Sequence, residues 1–359
     1  MLIKLEARPQ PSVTMTYASP LLAVALTLIA GMAVFAALGK DPVEGFRLFF
    51  LSPFKDTYGI ADLMLKATSL MLCALGLAVG FRANVWNIGA EGQFLVGAAA
   101  ASWVALRFDG ASGAWPLLAM LLAGALGGAL WAAIPAFLRT RFNANEILVS
   151  LMLVYVAQLL ISWLVFGPLK DPEGMNFPQT KMFSDGFLLP VIVAGTRLNL
   201  ALPIAIGLLI VGHVFMRHAY TGFKMRVAGE AAAAARYAGF SANRMIWIGM
   251  LVGGATAGIA GMAEVAGPMG QLTDKVGSGY GFAAIIVAFV GRLSPIGIFF
   301  GSILMALFFI GGEQVQQYMN LPSSISKVFQ GMLLFFLLGT DVFINVRPRL
   351  VGFARAAKH

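Results

Sequence analysis

Charge is scarce in this sequence. Only 11% of its 359 residues are Asp, Glu, Lys or Arg, against about a quarter in a soluble domain. Cysteine is nearly missing too. Cys73 stands alone inside an apolar run, which excludes a disulfide framework and a thiolate metal site. The three histidines, His213, His218 and His359, do not complete a ligand set with it, so no metal and no cofactor are expected. No Gly-x-x-x-x-Gly-Lys-Ser/Thr phosphate loop occurs, and Gly39-Lys40 is followed by Asp41. No Ser/His, paired-Asp or metal constellation stands out, so no catalytic residue is predicted.

What fills the chain instead is apolar: 59% of it is hydrophobic, gathered in runs of about twenty residues, the length that crosses a hydrocarbon core of ~30 Å. The pattern predicts an all-α polytopic membrane protein, a single transmembrane domain over 1–359. Ten passes can be drawn, at 18–38, 62–80, 88–107, 114–138, 147–167, 198–216, 244–266, 280–291, 296–312 and 324–345. The first follows Lys4 and Arg8 and exceeds a signal-peptide core, so it reads as an uncleaved span. The eighth is too short to cross unaided, which suggests a tilted helix or a half-helix held within protein. No strong internal repeat is evident.

Ten passes place both termini on one side. The segments on that side carry 15 of the 25 Lys and Arg residues, while the opposite side carries 10, offset by 11 acidic residues. The excess marks the cytoplasm. The formal net charge of +9 is therefore an effect of topology, and nucleic acid is not an expected partner. Two loops are long: 168–197, facing outward, and 217–243, facing inward.

Residues 84–94, NVWNIGAEGQF, open the third pass with unusual polarity. A carboxylate within a span costs about 2.5–3.5 kcal/mol on insertion scales unless it finds water or a partner. Arg82, nine residues earlier, is a candidate partner for Glu91 across a turn. Two readings stay open. One is a capped helix start, with Asn87 as N-cap, Glu91 four residues on and the glycines for close packing. The other is a broken helix lining a permeation path, with Asn84, Asn87, Glu91 and Gln93 facing a polar solute. Tyr280, at the start of the eighth pass, suits either stacking on such a solute or anchoring at the membrane interface. Asn143, Asn145 and Glu146 read as a cap or an inner gate, and Glu264 as facing either outer water or the pore. Phe46, Phe49 and Phe50 are expected on an interfacial helix at the outer leaflet.

In the inward loop, GEAAAAARYAG predicts one short helix with Glu230 in its first turn and Gly239 as terminator. Its basic flanks would let it rest on lipid headgroups, and its alanine surface would let another protein's groove approach closely.

Thr221, Gly222, Arg226, Gly229, Ala234-Ala235 and Gly239 resemble the coupling loop of permease subunits in bacterial ATP-binding-cassette importers of the branched-chain amino acid and simple-sugar class. DPVEGFRLFF at 41–50, NIGAEGQFLVGA at 87–98, ANEILVSLML at 144–153, GYGFAAIIVAFVGRLSPIG at 279–297 and LPSSISKVFQGMLLF at 321–335 extend the resemblance along most of the chain. The Asn-Ile-Gly-x-Glu-Gly-Gln form is similar to the nucleoside-uptake branch.

The resemblance implies a translocation subunit of the bacterial plasma membrane, not an enzyme, that moves purine or related nucleosides inward. ATP hydrolysis would come from a separate, tandem ATPase chain docked under 217–243. A second related permease and a periplasmic or lipoprotein substrate-binding protein would complete the assembly. Simple sugars are the alternative cargo. A proton- or ion-coupled secondary transporter is the alternative class, and it would need carboxylates deep in the bundle. Glu91, Glu264 and Asp341 are the carboxylates weighed for that role, and none stands clearly at a span's centre.

Overall fold

The computed structural model describes residues 2–351. Among them are thirteen α-helices: α1 (Val13–Ala37), α2 (Pro42–Phe46), α3 (Thr57–Arg82), α4 (Ala90–Arg107), α5 (Trp115–Phe142), α6 (Glu146–Phe166), α7 (Ala201–His218), α8 (Tyr220–Glu230), α9 (Ala232–Tyr237), α10 (Ala242–Glu264), α11 (Tyr280–Val290), α12 (Pro295–Met319) and α13 (Ile325–Asn345). Two short strands, β1 (Leu2–Ala7) and β2 (Val346–Val351), pair antiparallel with Leu2 opposite Val351. Each of the ten apolar passes coincides with a helix. Eight are long and apolar enough to cross a membrane. The two that are not are α4, diluted by Glu91 and Gln93, and α11, with only 11 residues.

The chain divides into two compact units, one of residues 1–53 and 307–359, the other of residues 54–306. In the first, α1 packs against α13, and the strand pair joins the segment before α1 to the segment after α13. This pairing puts the two ends on one side, as an even number of passes requires. Thr340 Oγ1 donates to Ser19 O at 3.1 Å, and the Ser19 hydroxyl donates to the Asp341 carboxylate. Of the phenylalanines expected on an outer-leaflet helix, Phe46 is half-buried, while Phe49 and Phe50 turn into the protein. Phe49 is fully buried and stacks on Phe329 with centroids 4.3 Å apart, and Phe50 meets Phe308 and Phe329 edge-on at 6.0 Å. Each ring gains more from a core of other rings than from headgroups, and the cluster is the centre of this unit.

In the second unit, α3 is the central rod. Of its most apolar window 89% is buried, against 22% for α5 and for α6, which present leucines and aromatics outward as lipid-facing helices do. Helix α10 packs against α3, α4 and α5. Its sequence GMLVGGATAGIAG places glycines along successive faces. A Cβ on Gly258 would stand 3.1 Å from Gly128 Cα, and one on Gly249 would stand 3.1 Å from Gly80 Cα. Small-residue contact of this kind replaces the hydrophobic driving force that lipid removes. The 168–197 segment folds onto the end of α10 and the residues after it. Thr180 N donates to Leu272 O at 2.9 Å, Phe183 N to Gly270 O at 2.8 Å and Leu189 N to Ala266 O at 2.8 Å. Lys181–Asp109 and Arg197–Asp62 ion pairs, each at 2.7 Å, hold its exposed side.

Candidate functional site: a carboxylate between two helix ends

After α3 ends at Arg82, Asn84 adopts a left-handed conformation with φ 55° and the chain turns back on itself. Val85 N donates to Gly80 O at 3.1 Å, and residues 85–89 return without helical structure beside the helix they have just left. Asn87 reaches the level where Gly253 of α10 packs near Gly76. That is six residues before the end of α3, or about 9 Å back along its axis. Helix α4 therefore starts inside the bundle.

The buried polar side chains of NVWNIGAEGQF, Asn87, Glu91 and Gln93, all find partners there. Asn87 and Gln93 exchange two amide hydrogen bonds, of 2.9 and 3.0 Å, and Asn87 Oδ1 also accepts from Gly89 N at 3.0 Å. Asn87 is thus not the N-cap residue. That position is Gly89, and it carries no side-chain cap. Glu91 sits in the first turn of α4, 1% exposed, and looks away from its own helix. Its Oε1 accepts from Gly279 N at 2.8 Å and its Oε2 from Gly281 N at 2.6 Å. These amides open α11, so the carboxylate of one broken helix caps the other.

Two helix N-termini, each carrying a partial positive charge, converge on one anion. Two charge-assisted hydrogen bonds of about 1.5–3 kcal/mol each offset the insertion cost of the carboxylate. Two backbone features allow this approach. Gly279 has φ 82°, in the left-handed region, and a Cβ on Gly281 would overlap the Glu91 backbone. Arg82 is not the partner of Glu91, because the returning chain carries Glu91 away from the end of α3. Its Nε donates instead to Leu293 O at 3.1 Å, beyond the far end of α11. The eighth pass is thus a half-helix of about 16 Å, anchored at one end by Glu91 and at the other near Arg82.

Tyr280 is 3% exposed and meets Phe94 edge-on at 6.1 Å, so it is a core residue here rather than an interface anchor. Asn84 alone of the polar set is exposed. It accepts from Trp86 Nε1 at 2.8 Å and lines a cavity of about 420 Å³ with Arg82, Arg226, Glu230 and Arg292. Asn145 caps α6 through Ile147 N at 2.9 Å, and Glu146 pairs with Arg139. Glu264 does not face outer water freely, since Ser69 Oγ donates to it at 3.1 Å.

The 217–243 segment holds two helices, not one. Backbone at Ala231 leaves the helical region with φ −145°, so Glu230 closes α8 instead of opening the alanine helix. Thr221, Gly222, Arg226 and Gly229 belong to α8. A Cβ on Gly229 would overlap the Arg82 carbonyl, which makes Gly229 the point where α8 lies on the α3 turn. Helix α9 has Ala232, Ala233 and Ala234 exposed, Ala235 buried and Tyr237 97% exposed. Gly239, with φ 77°, ends it as expected. A shallow cavity of about 300 Å³ beside it is lined by Ala228, Ala232, Arg236 and Phe240.

Residues 59–338 match the family described as branched-chain amino acid transport system / permease component. The chain belongs to that family. As a member of this permease family it is an integral, multi-pass membrane protein and a non-catalytic transport subunit of the ABC class. It is 34% identical to the glucose ABC transporter permease protein TsgB13 of Haloferax volcanii, over 97% of this chain and 94% of that one. It is 30% identical to the guanosine ABC transporter permease protein NupP of Bacillus subtilis, over 92% and 95%. It is 28% identical to the nucleoside ABC transporter permease protein NupB of Lactococcus lactis, over 89% of each. Membership in this permease family implies an ATPase and a substrate-binding protein as partners.

Proposed function

We propose that this permease carries purine or related nucleosides inward as one half of a heterodimeric core. A second, related permease supplies the other half, a tandem ATPase supplies the energy, and a binding lipoprotein or periplasmic protein delivers the solute. The nucleoside reading is carried by the Asn87-Ile88-Gly89-x-Glu91-Gly92-Gln93 sequence, and similarity to the guanosine and nucleoside permeases supports it. Glucose or another simple sugar is the second reading, favoured by the 34% identity to TsgB13.

In this reading ATPase closure pushes on α9, whose exposed alanines and Tyr237 suit a groove in a partner protein, and α8 passes the push to the α3 turn through Gly229. Thr221, Gly222, Arg226 and Glu230 shape that lever, Ala234 lies on its contact face, Ala235 seats it on the protein beneath, and Gly239 is its end. Asn87, Glu91, Gln93 and Tyr280 hold the two broken helices whose relative movement opens the path, and Asn84 stands at its inner mouth. Labelled guanosine, adenosine, ribose and glucose uptake in cells with and without this chain tests the proposal. Nucleoside uptake lost on deletion and on ATP depletion supports it. Sugar uptake alone moves the cargo to the second reading. Uptake that follows the proton gradient and ignores ATP overturns both.

A further inference from the structure

At the inner end of the second unit, Arg82 of α3, Arg217 of α7 and Arg226 of α8 converge on a cavity of about 310 Å³ whose remaining walls include His213, Ser294 and Pro295. Among the described residues no carboxylate lines it, while Glu230 lines the adjoining cavity that shares Arg82 and Arg226. His213 and Pro295 also close one end of an apolar trough of about 370 Å³, which runs between α7 and α12 past Ile206, Ile210, Val214, Ile296 and Phe299. The trough opens outward, because Ile210 is 60% and Ile296 61% exposed on helices that span the membrane.

We propose that the trough and the arginine cup together hold one anionic phospholipid of the inner leaflet. An acyl chain lies along α7 and α12, and the phosphate rests on the arginines. Each half of the feature selects for this occupant. Guanidinium forks bind phosphate oxygens in pairs, and basic pockets between spans at the cytoplasmic face hold anionic headgroups. The apolar trough lies along membrane spans, so an acidic segment of a water-soluble partner would leave it uncovered, and a free phosphate would make no use of it. Arg82 is held in place by its bond to Leu293 O at 3.1 Å, so part of the cup is formed before the lipid arrives. Because Arg217 and Arg226 stand on either side of the α7–α8 corner, a bound phosphate fastens the inward loop to the body of the bundle. The inference rests on the sidedness read from charge, not on the identity of the cargo.

The full chain is purified from mixed phosphatidylcholine and phosphatidylglycerol nanodiscs, and retained lipids are counted by native mass spectrometry. The wild type should keep one phosphatidylglycerol in preference to phosphatidylcholine. Arg217→Gln with Arg226→Gln should reduce that preference by at least about tenfold, from two arginines near an anionic surface. Ile210→Asn with Phe299→Asn should weaken retention of that lipid while leaving the arginines in place. Arg141→Gln with Arg244→Gln removes the same charge from exposed positions outside the cup and should change nothing. Equal elution profiles and melting temperatures certify that the variants are folded. Equal retention of the two lipids by the wild type overturns the proposal, as does undiminished preference in the cup variant or displacement of the lipid by inorganic phosphate. Loss of ATPase co-purification in the cup variant with unchanged lipid retention also overturns it, in favour of a protein contact.

Discussion

Replacing Glu91 by Gln tests whether the carboxylate is a clamp between half-helices or a contact for solute. The wild-type side chain accepts one hydrogen bond on each oxygen, from Gly279 N at 2.8 Å and Gly281 N at 2.6 Å, in a site that is 1% exposed. Gln keeps the shape but offers one oxygen and turns an amide N–H₂ toward a backbone N–H. One buried donor is then left unsatisfied, at about 1–3 kcal/mol, and the surviving bond loses its ionic character, at roughly 1 kcal/mol more. A loss near 3 kcal/mol, at 1.4 kcal/mol per decade, is about a hundredfold in the local opening equilibrium. The opening is confined to the first turn of α11, so it is read by amide hydrogen exchange of peptides covering 277–285 in nanodiscs rather than by global melting. Faster exchange there, with exchange in α5 and α6 unchanged and uptake reduced in step, is the expected result. Unchanged protection in 277–285 would refute the clamp. Unchanged protection with lost uptake would show that Glu91 acts on the solute directly.

Three further outcomes are expected. Gly258→Leu drives a side chain into the backbone of α5, where Gly128 Cα stands 3.1 Å from the Cβ position, and should cost about 3 kcal/mol or more; a normal yield of monodisperse protein would refute the packing. Ala234→Trp lies on an exposed face of α9 and should shift stability by no more than about 0.5 kcal/mol while abolishing ATP-driven uptake, whereas Gly229→Trp should reduce folded yield; wild-type uptake in Ala234→Trp would remove α9 from the coupling path. The Lys181 ammonium holds the Asp109 carboxyl below its ordinary value, and Asp109 in turn raises Lys181. The carboxylate's stabilising contribution is present above about pH 4 and lost as pH falls through its depressed value, and that of the lysine is present below about pH 10 and lost as pH rises through its elevated value. Proteolysis within 168–197 should therefore be flat from about pH 5 to 9 and rise in acid, and Asp109→Asn should raise it at neutral pH and reduce the acid rise, the Arg197–Asp62 pair accounting for what remains.

Much of this molecule is legible because lipid imposes a length and a composition on each pass. The ten apolar runs became ten helices, and the short eighth pass declared itself by its length. Periodicity alone carries nothing about which helices meet, and that is where the reading of the residues stopped short. The sequence offers Arg82, nine positions away, as a candidate partner for Glu91, because local partners are the ones a sequence displays; the donors are the backbone amides of Gly279 and Gly281. The Gly279-Tyr280-Gly281 triplet was visible, yet only the fold makes its glycines the reason a carboxylate fits. Phe49 and Phe50 look amphipathic in isolation and turn inward because Phe308 and Phe329 arrive from far along the chain. The alanine run read as one helix from Glu230, since nothing in its composition announces the break at Ala231. The glycine spacing of α10 carries the contacts of that helix with α3, α4 and α5.

The pairing of β1 with β2 also sets an order of events at the ribosome. Helix α1 leaves first, and the helix it packs on, α13, is about 290 residues behind it. At roughly 5–20 residues per second that is a wait of about 15–60 s. Helix α1 is apolar enough to spend that interval alone in lipid, but the Ser19 carbonyl waits for Thr340 and the open face at Gly31 waits for Phe329 until α13 is made. The aromatic cluster is likewise incomplete until Phe329 appears. A product that stops short of α13 thus carries its unfinished surface on α1, long after that helix has left the ribosome.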